Sequence, residues 1–240
     1  MTKVDAIEQV MLANGGTASL NLIYDQIEKY YPEAKQSASW DAGIRGVLYR
    51  ELKYGNRFKK IGISIYAVNN YETEKASETT NKVRVHSFME GICIELGNAK
   101  KFNTYTADPS ALYRDNIRLH DIATLRSLPD FSYPDIIKEA KLIDVLWMSN
   151  RELSFPQYAF EVVDSIGTLD GAFKRCMQMQ NFATKFFIVA PEKHRAKYEQ
   201  TLGLELYNNV QDYFNFLSYD NILETYDHIV KGAASLHWLK

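Results

Sequence analysis

Two short apolar runs, each carrying one acid, constrain this chain more than any other feature. Leu142-Ile143-Asp144-Val145-Leu146-Trp147 and Tyr158-Ala159-Phe160-Glu161-Val162-Val163 have the length and the β-branched and aromatic content of buried strands. Read that way, they place Asp144 and Glu161 inside the protein. A buried carboxylate is costly unless it is paired or bound to a cation. The polar stretch through Ser149, Asn150, Arg151 and Glu152 reads as a loop joining the strands, so that the two acids meet at a sheet edge. Two acids so placed offer Mg²⁺ hard oxygen ligands, and a metal there can activate water against a phosphodiester. The bland alternative is a structural pair, neutralised by Arg or Lys from a neighbouring helix.

Composition narrows the surroundings of that pair. The chain has 240 residues, 46% hydrophobic and 24% charged, which is enough to fold one large or two smaller globular domains. A net charge of -2 argues against a protein that coats nucleic acid, so any DNA contact is expected to be local. Cys93 and Cys176 lie in apolar helical patterns and read as buried free thiols in a reducing compartment. The opening MTKVDAIEQVML lacks a signal-peptide layout, and no run is long and apolar enough to span a membrane, so the expected location is the cytoplasm.

The segment Asn70–Asn81, NYETEKASETTN, lacks large aliphatics and reads as a linker. It divides the chain into residues 1–69, the linker 70–81 and residues 82–240. Before the linker, helical periodicity runs from Val4 to Ala13. Ser19 is placed to cap a second helix that ends before Pro32, and Ser39 to cap a third that ends near Gly55. Phe58 to Val68, around Gly62, reads as a hairpin. Three helices and a hairpin in this order form a winged-helix layout. After the linker we expect a helix over Val83–Ala99 and a strand over Phe102–Ala107. Helices near Asp115–Leu125 and Pro134–Ala140 precede the two acidic strands. A helix over Leu169–Asn181, a strand over Lys185–Ala190 and a charged helix after Pro191 follow. Final helices are expected over Asn208–Phe216 and Asn221–Leu236. This order predicts an α/β core with a mixed sheet.

Residues 83 to 190 resemble the PD-(D/E)XK nuclease superfamily, especially restriction-endonuclease-like proteins. The likeness rests on the helix Val85-His86-Ser87-Phe88-Met89-Glu90, on Asp144 in Ile-Asp-Val-Leu-Trp, on Glu161 in Phe-Glu-Val-Val, and on the helix entered through Asp164 to Gly171. The resemblance implies Mg²⁺ held by Asp144 and Glu161, Glu90 as an outer acid with Glu95 competing for that place, and hydrolysis of duplex DNA. The Lys of the family's Glu-x-Lys is Val163 here, a side chain that neither donates nor accepts. Arg175, with Lys174 and Gln178 beside it, is the candidate to substitute from the following helix. A second reading follows from Val163, a nuclease fold that has lost its chemistry and serves as a DNA-binding module or regulator.

The first 69 residues resemble the winged-helix modules of Mrr-type restriction proteins. Ser39–Arg50 would be the recognition helix and Arg57–Val68 the wing. Arg45, Arg50, Lys53, Arg57, Lys59 and Lys60 cluster there and would grip DNA phosphates, unless they form an ordinary solvated face. A weaker reading makes the module a protein adaptor. Double-strand cutting needs two sites, so a homodimer is expected on symmetry grounds. His86 and His120 show no metal-ligand spacing and are expected at the surface or as caps. Trp40, Trp147 and Trp238 are expected in the core.

Overall fold

A computed structural model describes residues 1–71, 85–114, 117–230 and 238 of the chain. Most of the expected linker, and residues 231–236 of the last expected helix, lie outside the described residues. The chain opens with α1 (Lys3–Ala13), β1 (Thr17–Ser19), α2 (Leu20–Gln26), α3 (Trp40–Tyr54), β2 (Phe58–Lys60) and β3 (Ile65–Val68). Local chemistry sets the helix ends. Thr2 and Asp5 form a reciprocal capping box at α1, and the Ser19 hydroxyl accepts the Leu22 N–H at α2. Ser39 precedes α3 as expected, but its side chain makes no capping hydrogen bond. Ile7, Val10, Met11, Ile23, Ile27, Ile44, Leu48, Phe58, Tyr66 and Val68 close a core of their own. The strands form a small antiparallel sheet in the order β1-β3-β2. Sequence reading missed β1, whose three residues are too few to show a period.

The remainder comprises α4 (Val85–Ala99), β4 (Asn103–Thr106), β5 (Leu112–Arg114), β6 (Ile117–Arg118), α5 (Leu119–Ile122), α6 (Pro134–Ala140), β7 (Val145–Met148) and β8 (Pro156–Val162). It continues with α7 (Leu169–Met177), β9 (Lys185–Ala190), α8 (Arg195–Leu202), β10 (Phe214–Ser218) and α9 (Tyr219–Val230). Five strands make one mixed sheet in the order β10-β9-β8-β7-β4, with β8, β9 and β10 parallel and β4 and β7 antiparallel to their neighbours. The α/β expectation therefore holds. Two expectations do not. Phe214–Ser218 is an edge strand rather than a helix, because its aromatic residues pair in parallel with Phe186–Ala190. Near Asp115–Leu125, where a helix was expected, the described residues form β6, paired antiparallel with β5, and the one-turn α5.

Alternation along β8 sorts the two faces. Phe160 and Val162 point into the layer that holds α4 and α9, while Ala159 and the following Val163 point into the layer that holds α7 and α8. α4 seats closely on the sheet at Gly97. A Cβ there would lie 2.6 Å from both Trp147 Nε1 and Thr104 Cγ2, so only glycine permits the approach. Trp147 Nε1 donates to the Cys93 carbonyl at 3.0 Å, which fixes the helix along the strand. Trp147 is fully buried, Trp238 packs beside it, and both cysteines are buried and free.

The tip of the N-terminal hairpin is not free. Ile61 and Ile63 pack on the core between α4 and the large sheet, and Ile65 belongs to that core. Ile63 N–H donates to Glu95 Oε2 at 2.9 Å, and the Tyr226 hydroxyl donates to the same oxygen. Arg114 donates to the Ile61 carbonyl at 3.2 Å and to the Tyr226 hydroxyl at 3.0 Å. A Cβ on Gly62 would stand 2.9 Å from that hydroxyl and 3.0 Å from Glu95 Oε1, so a larger residue would have to displace one of them.

Candidate active site

Antiparallel pairing of β7 with β8 sets Val145 opposite Phe160. Asp144 immediately precedes that pair on its strand and Glu161 follows it on the other, so the two acids come face to face. They meet at the open strand ends, away from the connecting loop, and in the middle of the sheet rather than at its lateral edge. Asp144 stands just before β7 rather than inside it. Its Oδ2 accepts the Val162 N–H at 2.7 Å, which fixes the carboxylate across the strand ends.

Glu161 is completely buried, and Arg175 reaches it from α7. Arg175 Nε donates to Oε1 at 2.6 Å and its terminal nitrogen to Oε2, a bidentate fork. Arg175 therefore leans over the strands as expected, whereas Lys174 and Gln178 point to solvent. Burial pushes Glu161 up to about 8 against the opposing pull of Arg175. The contact raises the Arg175 guanidinium further above its ordinary range. Val163 is 1% exposed among the apolar residues under α7, so its slot is a core position.

The opposite layer supplies the rest. α4 carries His86 and Glu90 one turn apart on one face. Glu90 is 2% exposed, and the cationic group nearest its carboxylate among the described residues is His86, with Nε2 3.8 Å from Oε1. The same Nε2 stands 3.6 Å from Asp144 Oδ2, and Nδ1 stands 3.7 Å from Asp164 Oδ2. The Tyr219 hydroxyl donates to Asp164. Asp144 beside it raises the His86 imidazole pKa. His86, Glu90 and Asp144 bring one donor atom each within 4.8 Å of one another. Glu95, the competing acid, is engaged at the hairpin tip instead. Sequence reading missed His86, Asp164 and Tyr219. The His86–Glu90 spacing of four on an amphipathic helix was the available signal, while Asp164 and Tyr219 meet only through the fold.

Glu90 has a consequence for stability. Burial, then the negative charge of Asp144 and other nearby acids, pushes it up to about 9 from an ordinary 4.5. The folded chain thus keeps a proton that the unfolded chain releases. Stability falls as pH rises between those two values and levels off above them, by at most about 1.4 kcal/mol per pH unit for one group. Glu161 contributes with the same sign. In EDTA, the melting temperature should drop from about pH 5 to about pH 9, and Glu90→Gln should remove part of that drop. A wild-type melting temperature that is flat or rising over this range would mean that Glu90 is already ionised in the fold.

The six expected DNA-contact residues divide by environment. Arg57 pairs with Asp5 and Glu8 and ties β2 to α1. Arg45 is held by Asp41 at 2.9 Å and by the Tyr24 hydroxyl. Lys59 donates to the Tyr71 carbonyl. Arg50, Lys53 and Lys60 are exposed, with Lys53 5.0 Å from the Tyr54 ring. Among the described residues no helix is long and apolar enough to cross a membrane.

The family model described as the type II restriction enzyme NmeDI C-terminal domain matches residues 67–235. No curated protein and no solved structure matches the chain.

Proposed function

This chain belongs to the family of the type II restriction enzyme NmeDI C-terminal domain, and from that premise we propose that it is a metal-dependent endonuclease of restriction or defence type that hydrolyses duplex DNA. One observation carries the reading: Asp144 and Glu161 face each other at the strand ends, and the buried Glu90 faces Asp144 from α4. The acids fit a divalent ion such as Mg²⁺, because Glu90 is 2% exposed and faces Asp144, with only the His86 imidazole, 3.8 Å away, as a cationic partner among the described residues. Asp144 and Glu90 would hold the ion; Glu161, the second ligand expected from the sequence, has both oxygens taken by Arg175. When bound, such an ion lowers the pKa of water and offsets charge on the phosphoryl oxygens. Asp144 is aligned by the Val162 N–H. Arg175, 32% exposed at its side chain, holds Glu161 and presents positive charge to a phosphate at the rim.

The order α1, β1, α2, α3, β2, β3 supports reading residues 1–69 as a winged helix joined through 70–81 to a PD-(D/E)XK-like core over 82–240. Its wing tip is spent on the core, so DNA contact falls to the exposed face of α3 and to the strand that follows. Replacing Arg50, Lys53 and Lys60 together with Ala in the full chain should reduce the magnitude of the log-log salt slope of DNA binding by about 2 to 3. An unchanged slope would remove this module from the DNA interface and favour the adaptor reading. A homodimer would supply the second cut.

The buried Val163 supports the second reading, a nuclease fold retained for binding alone. One experiment separates the two. The protein is incubated with plasmid and genomic DNA, modified and unmodified, in Mg²⁺, Mn²⁺ or EDTA, beside Asp144→Ala. Cleavage that needs both metal and Asp144 supports the enzyme. DNA binding without cleavage under any condition supports the lapsed nuclease.

A further inference from the structure

We propose that His86 is a metal ligand of this site, so that the centre is a mixed nitrogen and oxygen set, His86, Glu90 and Asp144, with Asp164 and Tyr219 as positioning residues behind the imidazole. The inference rests on the metal-dependent reading above and adds a ligand to it.

The geometry of the ring is the main argument. Nε2 is turned toward the two acids, 3.8 Å from Glu90 Oε1 and 3.6 Å from Asp144 Oδ2. Adjacent donors around one small divalent ion stand about 3 Å apart, so these three need only small movements to share one. None of the contacts is short enough to be a hydrogen bond that would satisfy the ring or Glu90. The other ring nitrogen, Nδ1, faces Asp164 Oδ2 at 3.7 Å, and Asp164 is held by the Tyr219 hydroxyl. Closing that gap by about 0.7 Å would give the arrangement of a ligating histidine. One nitrogen points at the metal while a carboxylate behind the ring takes the other N–H and fixes tautomer and orientation. Two chain segments far apart in sequence meet to support the ring, Asp164 after β8 and Tyr219 at the start of α9.

The burial pattern is the second argument. Glu90 is 2% exposed and Asp144 15%, whereas His86 is 37% exposed at its side chain. The imidazole therefore forms the outer wall of the cluster, between the buried acids and solvent, where an ion would enter. Glu161 is occupied on both oxygens by Arg175. Its carboxylate is the less available donor, and His86 completes the set on the open side.

A nitrogen donor changes which ion is favoured. Imidazole binds first-row transition ions better than it binds Mg²⁺, whereas an all-carboxylate site suits Mg²⁺. A mixed set should therefore favour first-row transition ions over Mg²⁺ more strongly than the acids alone would.

The test is Mn²⁺ binding to the full chain without DNA, followed by calorimetry and by pulsed electron paramagnetic resonance. The wild-type chain should bind Mn²⁺ with nitrogen-14 modulation from a coordinated imidazole. His86→Ala should lose the modulation and weaken binding by about tenfold or more. Asp164→Ala should keep the modulation but weaken binding by about tenfold, the size of a lost outer partner. Mn²⁺ bound in wild type and lost in Asp144→Asn, but without nitrogen modulation and unaffected by His86→Ala, would overturn the His86 assignment and leave the metal site standing. Absence of Mn²⁺ binding, or binding indifferent to Asp144→Asn, would overturn both. His86→Gln, which keeps the side-chain bulk, should lose the modulation as well, and circular dichroism of both variants shows whether the fold is retained.

Discussion

Asp144→Asn should lower DNA cleavage by about 10³-fold or more, because a lost metal ligand removes several kcal/mol of charge stabilisation and each 1.4 kcal/mol is tenfold in rate. The fold should survive, because Asn Oδ1 can still accept the Val162 N–H that Asp144 accepts at 2.7 Å. DNA affinity measured in EDTA should stay within about threefold of wild type, or improve, since one anion near the phosphate is neutralised. The paired measurements are plasmid cleavage and DNA-binding anisotropy. Near wild-type cleavage by this variant would show that the strand-end acids are structural.

Arg175→Ala should cost both activity and stability, and the two losses should separate. Removing the guanidinium leaves Glu161 fully buried without its counter-charge, worth about 3 kcal/mol of stability at high pH. The penalty should shrink toward pH 6, because Glu161 then takes up a proton instead of standing as an unpaired anion. Cleavage should fall by about 10²-fold, the size of a lost electrostatic or positioning group. Adding Glu161→Gln should restore most of the stability and none of the activity. Denaturant unfolding at two pH values, run beside the cleavage assay, reads all four quantities. An Arg175→Ala protein as stable as wild type would mean that the fork contributes nothing to the fold, and unchanged cleavage would rule out Arg175 as a substitute for the missing Lys.

Much of the architecture was legible because it is written in local chemistry. The capped helices α1 and α2, the hairpin β2 and β3, and the strands around Lys185–Ala190 follow from caps, periodicity and β-branched runs. The helix expected over Asn208–Phe216 runs into the strand Phe214–Ser218, because a five-residue aromatic segment has no decisive period and only its parallel partner β9 makes it a strand. The opening residues of the wing were visible as a basic stretch. That its tip is buried was not, because Glu95, Arg114 and Tyr226 come from three separate elements.

The candidate site divides in the same way. Local sequence draws Asp144 and Glu161 into the protein, since each sits in an apolar run whose burial outweighs the exposure of one acid. It also determined that Val163 could not serve as the missing Lys. Which groups answer those acids depends on packing between distant segments. Strand register set Asp144 opposite Glu161, and the packing of α7 delivered Arg175 rather than Lys174. The close seat of α4 at Gly97 brought Glu90 and His86, and not Glu95, to the strand ends. These choices turn on the rotation and depth of whole helices against a sheet, which are fixed by contacts between segments remote in the chain and leave no periodic trace in either segment alone.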